Sequence, residues 1–253
     1  MGGKVYFVGA GPGAPDLITM RGARLLAQAD VVFHDALVHP DLLALAPQAR
    51  IVNVGKRHNG AAVDQRFIHR SLAQAARRWA TVVRLKGGDP TLFGRLQEEI
   101  EALEAEAIPY EVVPGVTAAT AAAATLGVSL TRRGSGRSVA LVTPRVGCGE
   151  APTDWAAGAA GADTLAVYMG ASQVAQVAAT LIAQGKPPST PAVLVENATV
   201  AGERHLLTNL GALLGGCPLQ TQGPVLILAG RAAEAFAART LPAETVSIPA
   251  PLF

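Results

Sequence analysis

Two glycine-rich loops, and charged residues set within or beside apolar runs, are the parts of this sequence that could do chemistry. The first loop, Gly9-Ala10-Gly11-Pro12-Gly13-Ala14, follows the apolar run Lys4 to Val8. It nearly spells the Gly-x-Gly-x-x-Gly/Ala fingerprint of dinucleotide-binding folds, with Asp35 about 20 residues on, where a ribose would be held. That fingerprint needs a helix to open just after the second glycine, so that its first amides face a pyrophosphate. Here Pro12, Gly13 and Pro15 make a tight, extended loop, and helical spacing begins only near Thr19. The loop therefore suits a ligand without a pyrophosphate. The second loop, Gly87-Gly88-Asp89-Pro90, follows the apolar strand ending at Leu85, and open α/β sheets bind ligands beyond the carboxyl ends of their strands. A lone GGDP is an ordinary turn; two such loops at strand ends of one sheet point toward a ligand.

Arg84 interrupts its apolar strand, where an unpaired charge is costly, so it must find either a carboxylate within the protein or an anionic ligand. Asp35 ends the strand Val31 to His34; by residue type alone it serves a turn or helix cap as readily as it serves catalysis. Lys56 lies with Arg57 and His58 after a third strand and reads from the residues as a solvated basic loop. His69 falls on a helical pattern beside Arg66 and Arg70, which predicts a solvent-facing ring. Trp79 and Trp155 read as packing residues.

These residues hang on an alternating framework. Strands are predicted at Lys4 to Val8, Val31 to His34, Arg50 to Val54, Ala80 to Leu85 and Tyr110 to Val113, with helices at Met20 to Ala29, Val63 to Arg78 and an acidic-faced one at Leu96 to Glu106. Short apolar runs alternating with helices argue for a mainly parallel sheet covered on both faces. Pro114-Gly115 punctuates the chain, which places a domain boundary there: 1–114 forms one α/β domain and 115–253 a second. In the second, strands are predicted at Ser138 to Thr143, Thr164 to Tyr168, Pro191 to Glu196 and Pro224 to Leu228. Helices are predicted at Ser172 to Gln184 and near Leu206 to Leu214. Thr117 to Leu130 is too short to span a bilayer and, rich in alanine, reads as a buried helix. Gly147 to Ala162 carries little periodicity and reads as a loop or frayed helix.

Composition narrows the classes. The chain has 253 residues, half of them apolar, enough for a large core. Its 21 basic and 19 acidic residues leave a net charge of +2, so no broad basic face exists to follow nucleic acid, and a small anionic ligand held by a few Arg and Lys residues fits better. Cys148 and Cys217 lie far apart without metal-ligand spacing and read as reduced thiols. Met1 to Gly11 reads as a short strand with no basic leader, which predicts a cytoplasmic protein without membrane attachment.

Five runs resemble the uroporphyrinogen III C-methyltransferases of the tetrapyrrole methylase family: GAGPGAPDLIT at Gly9 to Thr19, VVFHDALV at Val31 to Val38, VGKR at Val54 to Arg57, VVRLKGGDPTLFGR at Val82 to Arg95, and IPYEVVPGVTAA at Ile108 to Ala119. LTRR at Leu130 to Arg133, YMG at Tyr168 to Gly170 and VENAT at Val195 to Thr199 continue the likeness in the same order. The resemblance implies a class III methyltransferase fold of two α/β domains in series with a cleft between them, and a homodimer. It implies S-adenosylmethionine as co-substrate, S-adenosylhomocysteine as product and no metal. The substrate it implies is uroporphyrinogen III, methylated at two ring carbons to precorrin-2 for sirohaem and cobalamin synthesis. No dehydrogenase or ferrochelatase module accompanies the match, which suggests a stand-alone methyltransferase.

Carried onto matching positions, the resemblance implies cofactor contacts at Pro12, Gly87, Gly88, Asp89, Leu92, Thr117, Ala118, Met169 and Ala198. Methyl transfer to a ring carbon is an in-line displacement that depends on holding two reactants aligned, and a proton must then leave the ring. The resemblance makes Asp35 the candidate base and Lys56 a proton donor or substrate-orienting group. The substrate's acetate and propionate rim calls for guanidinium forks, for which Arg84, Arg95, Arg132 and Arg133 are the candidates. The first domain would carry the substrate side and catalytic loops, the second would complete the cofactor site.

The chain departs from the family pattern at Arg132, where a histidine is usual, at Leu96-Gln97, where two glycines are usual, and at Pro144-Arg145, where Gly-His is usual. These changes surround the expected substrate side. They keep two other readings in view: a same-fold enzyme for a later corrinoid precursor or for RNA, and a cofactor-binding paralogue without catalysis. The RLKGGDP run favours uroporphyrinogen III over a later corrinoid precursor or RNA, the lack of net basic character weakens the RNA version, and the presence of Asp35 and Lys56 argues against the paralogue.

Overall fold

The computed structural model describes residues 2–55, 65–147, 151 and 153–240. The chain divides into two compact units, Met1–Thr117 and Ala118–Phe253. Each is built around its own five-stranded sheet.

In the first unit, strands β1 (Lys4–Gly9), β2 (Val31–His34), β3 (Arg50–Asn53), β4 (Thr81–Lys86) and β5 (Tyr110–Val113) lie in the order β3-β2-β4-β1-β5. Among the described residues every pairing is parallel, and four α-helices join the strands: α1 (Met20–Ala27), α2 (Pro40–Ala44), α3 (Gln65–Arg78) and α4 (Leu96–Glu104). Because side chains alternate across a strand, each strand feeds two cores. Val5, Phe7, Val31, Phe33 and Val82 pack with Ile68 and Leu72 of α3 and Leu103 of α4. Val8, Val32, Val83 and Leu85 pack on the other face with Leu26 of α1 and Leu42 of α2. Full burial of side chains such as Phe7, Leu72 and Leu103 contributes about 1.5–3 kcal/mol each.

This alternation positions the chemistry. Arg84 lies opposite Phe7 and Phe33 in the register, so it and Lys86 point toward α3 and α4, while Val83 and Leu85 serve the other core. Asp35, two residues after Phe33, continues the same face.

The second unit runs α5 (Ala118–Thr125), β6 (Val139–Val142), β7 (Thr164–Tyr168), α6 (Val174–Ala183), β8 (Pro191–Glu196), β9 (Arg204–Asn209), α7 (Leu210–Leu213), β10 (Val225–Gly230) and α8 (Arg231–Ala237). Its sheet order is β6-β7-β10-β8-β9, with β6 and β7 parallel and β10 antiparallel to both neighbours. The alanines of α5 give it a thin apolar body, and Ala119, Ala122 and Ala123 pack on Ala166, Val193 and Leu228. The predicted helix near Leu206 to Leu214 is instead a strand followed by one helical turn. Six residues of β9 pair antiparallel with β8, and the Asn209 side chain then accepts a hydrogen bond from the Ala212 amide, capping α7. Helices α2 and α8 were not predicted.

Trp79 packs beside the α3 core under the Arg78 guanidinium, and Trp155 packs beside the α6 core, in keeping with packing roles. His69 differs from its expected place: it is half-buried, with its Nε2 enclosed and without a hydrogen-bond partner. Cys217 is a free thiol; Cys148 lies outside the described residues. Among the described residues, no helix is long and apolar enough to cross a membrane.

Candidate active site

The carboxyl ends of β1, β2 and β4 carry the site of the first unit. The two glycine loops are joined there by reciprocal hydrogen bonds, Gly88 N to Gly11 O at 2.7 Å and Gly11 N to Gly88 O at 3.2 Å. No α-helix opens after Gly11: a short 3-10 turn covers Pro15–Leu17, and α1 starts at Met20, where Thr19 Oγ1 accepts from the Gly22 amide. Pro12 lies half-buried in this loop.

Two glycines, Gly9 and Gly115, make the convergence of chain segments sterically feasible. A Cβ on Gly115 would lie 2.4 Å from Gly88 O and 2.8 Å from Gly9 Cα, and one on Gly9 would lie 2.6 Å from Gly115. Gly87 is different. Its φ lies outside the left-handed region, and an added Cβ would meet only Leu37 Cβ, at 3.9 Å. Gly88 needs its φ of 66° but also faces open space. Asp89 is committed internally: one carboxylate oxygen accepts from Thr91 N and Oγ1 at 2.8 and 2.5 Å, and the other from Gly115 N at 2.9 Å. It therefore ties the GGDP loop to the Pro114-Gly115 turn. Leu92 donates its amide to Asp89 O and is half-buried.

A cavity of about 270 Å³ opens past the carboxyl ends of β2, β3 and β4, lined by Asp35, Gln65, Arg84, Lys86, Arg95 and Glu99 among others. Arg84 finds its partners inside the protein. Its Nη2 donates to Asp35 Oδ1 at 2.6 Å, and its Nε and Nη2 donate to the two oxygens of Glu99 at 3.2 Å each. Lys86 Nζ donates to Glu99 Oε1 at 2.9 Å, and Gln65 Nε2 donates to the same oxygen at 3.2 Å. The side chains of Arg84, Lys86 and Glu99 are 3%, 3% and 1% exposed, whereas Asp35 is 34% exposed. Four formal charges thus cancel, and only one of the four reaches solvent.

Burial works against the Arg84 cation, but the carboxylates of Glu99 and Asp35 outweigh it and hold Arg84 above its ordinary value. For Lys86 the balance tips the other way. Burial, reinforced by Arg84, pushes its ammonium below its ordinary value despite Glu99.

Glu99 and Lys86 were missed by the reading of the sequence. The signal for Glu99 was present, since Leu96, Glu99, Ile100 and Leu103 fall on one helical stripe and the three apolar members pack against the core. An acidic residue inside an apolar stripe asks for a buried cation. Arg95 lines the cavity from a strained loop in which Phe93 and Arg95 have φ of 52° and 53°. Its exposed fork pairs with Glu98, and this holds the Glu98 carboxyl below its ordinary range. Lys56 lies outside the described residues.

In the second unit, Ala118, Met169 and Ala198 gather at one end. The Tyr168 hydroxyl accepts from the Ala119 amide at 3.0 Å, and Ala118, Tyr168 and Ala198 share one apolar cluster. Met169 is exposed at φ 56°, with Arg145 Nη1 4.0 Å from its sulfur. Thr117 is the last residue of the first unit. Arg132 and Arg133 are exposed in a tight turn closed by backbone bonds between Arg132 and Gly136. Among the described residues, no group of three His, Cys, Asp or Glu side chains could hold a metal ion.

The model of a family described as tetrapyrrole (corrin/porphyrin) methylases matches residues 4–214. Uroporphyrinogen-III C-methyltransferase of Pseudomonas aeruginosa is 46% identical over 214 residues, covering 85% of this chain and 87% of that protein. Siroheme synthase of Stutzerimonas stutzeri is 43% identical over 234 residues, and the match covers 92% of this chain but 50% of that longer protein. Among solved structures, uroporphyrin III C-methyl transferase of Thermus thermophilus superimposes with a TM-score of 0.82 at 39% identity, over 92% of this chain and 100% of that one. The structure of the Thermus thermophilus enzyme complexed with S-adenyl homocysteine gives 0.81 at the same identity.

Proposed function

Because this chain belongs to the tetrapyrrole (corrin/porphyrin) methylases, we propose that it transfers methyl groups from S-adenosylmethionine to two ring carbons of uroporphyrinogen III, giving precorrin-2. The observation that carries the reading is Asp35: a carboxylate facing a cavity, backed by a guanidinium that is itself fixed from behind.

The co-substrate's sulfonium supplies an electrophilic methyl carbon, and S-adenosylhomocysteine leaves with the electron pair of the broken bond. Uroporphyrinogen is electron-rich, so its ring carbon can attack without a metal. Asp35 then accepts the proton that the ring system must lose, and the pair from that C–H bond restores conjugation. Arg84 orients the carboxylate at 2.6 Å. Arg95, at the cavity wall, is the group best placed in this unit to meet a carboxylate of the substrate rim.

The open space over Gly87 and Gly88 suits a ligand lying against bare backbone, as the proposed cofactor contact requires. We assign Pro12, Gly87, Gly88, Leu92, Thr117, Ala118, Met169 and Ala198 to that contact as direct neighbours. Asp89 contributes by shaping the loop through Gly115. Arg132 and Arg133 are assigned to the substrate rim, and Lys56 to proton donation or substrate orientation, on the family resemblance alone. That resemblance also supports a homodimer acting in the cytoplasm, with the first unit carrying the substrate side and the second completing the cofactor site.

Anaerobic incubation with methyl-labelled S-adenosylmethionine tests the proposal. Label is expected in a doubly methylated tetrapyrrole formed from uroporphyrinogen III. Cofactor binding without transfer to it, but with transfer to a later corrinoid precursor, would reassign the substrate.

A further inference from the structure

The four-charge cluster contains two residues that the methylation chemistry does not call on. Glu99 holds Arg84 through both of its oxygens, and Lys86 binds the same carboxylate from the side. Arg84 Nη1 donates to Leu85 O at 3.3 Å, so each nitrogen of the guanidinium has an acceptor and the group has no free edge about which to turn. We propose that Glu99 and Lys86 are a positioning pair, which holds Arg84 against Asp35 while the cavity-facing carboxylate gains and loses its proton. This rests on the methylation reading above.

The argument is one of geometry and charge count. Arg84 has two carboxylate partners, one buried and one facing the cavity. When Asp35 takes up a proton it becomes a weaker partner, and a guanidinium held by it alone would swing away. Glu99 keeps it in place. A single buried carboxylate shared by two buried cations leaves one positive charge for Asp35 to balance, which makes the cluster neutral when Asp35 is ionised. Without Lys86, two carboxylates would compete for Arg84; without Glu99, two cations would compete for Asp35.

Among the described residues, the other groups around the cluster do not substitute for this pair. His34 from β2 sets its Nδ1 3.0 Å from the backbone oxygen of Asp35, and Gln65 from α3 is neutral and bonded to Glu99. Arg95 and Glu98 pair with each other at the surface. His69 from α3 and Lys86 both act electrostatically on Glu98.

A charge-balance cycle tests the proposal. Glu99→Gln and Lys86→Met each upset the count, and each is expected to lower kcat about a hundred-fold, as a small misplacement of a reacting group does. KM for S-adenosylmethionine and its affinity measured by calorimetry should stay unchanged. The double variant keeps Arg84 and Asp35 as its only charges in the cluster, and the side-chain amide introduced at position 99 still accepts from Arg84, so much of the lost kcat is expected to return. A double variant whose loss is the product of the single losses would overturn the proposal, because packing damage accumulates. If Glu99→Gln does not fold, Lys86→Met alone decides: turnover falls with cofactor affinity intact, or the proposal fails. Wild-type protein that binds cofactor yet methylates no tetrapyrrole would overturn the methylation reading and this proposal with it.

Discussion

Arg84 Nη2 lies 2.6 Å from Asp35 Oδ1, and this contact joins a buried cation of the first sheet to a carboxylate that faces the cavity. It links fold to chemistry: the residue that interrupts an apolar strand is the one that aims the candidate base.

Arg84→Met should be costly to stability as well as to turnover. Removing one partner of a buried ion pair leaves Glu99 and Asp35 under-compensated, which costs about 3–5 kcal/mol. Urea denaturation of the variant measures this directly. A loss below about 1 kcal/mol, the scale of a surface pair, would show that Arg84 is not structurally engaged.

Gly87→Ala and Gly88→Ala should separate folding from ligand binding. At Gly87 the added methyl meets only Leu37 at 3.9 Å, so stability should hold while affinity for S-adenosylmethionine drops. At Gly88 the φ of 66° adds strain of about 1–2 kcal/mol. Paired unfolding and calorimetric titrations check both; full affinity in Gly87→Ala would remove that backbone from the cofactor contact.

Gly115→Ala should act differently, by forcing the loops apart. Its Cβ would fall 2.4 Å from Gly88 O, and overpacking of this kind costs about 1–3 kcal/mol. The variant is expected to lose both stability and cofactor affinity, and a thermal melt with and without ligand reads the two together.

Glu203 gives the second unit a pH-dependent contact. Burial alone would raise its carboxyl, but the His205 ring and the Thr199 amide, with Thr125, outweigh burial and leave it below its ordinary value. A carboxyl lowered on folding contributes stability that is fully present above its unfolded value of about 4.5 and is lost as pH falls through the folded value. Glu203→Gln should therefore flatten the acid side of the Tm profile below that pH. An acid limb as steep as the wild type's would locate the acid sensitivity elsewhere.

Much of this was legible in the residues. Prolines 12 and 15 exclude a helix directly after Gly11, and the structure puts α1 at Met20. Arg84 announces a partner because charge inside an apolar strand must be compensated, and one carboxylate that does so, Asp35, is itself a candidate for another role. Glu99 stays hidden because α4 reads as acidic-faced, although Glu99 falls in its apolar stripe. The run Leu206 to Leu214 misleads because its leucine pairs, Leu206-Leu207 and Leu213-Leu214, fit either period, and only pairing with β8 selects a strand up to Asn209. The roles of Arg132 and Arg133 rest on contacts that the exposed turn does not itself make.

The most direct test of the account is mass spectrometry of the tetrapyrrole after anaerobic incubation of the protein with uroporphyrinogen III and S-adenosylmethionine, run beside Asp35→Ala. The account predicts a product carrying two added methyl groups with the wild type, and little product from the variant at unchanged cofactor affinity. Unmodified uroporphyrinogen III from a wild type that binds cofactor, or equal product from Asp35→Ala, would contradict it.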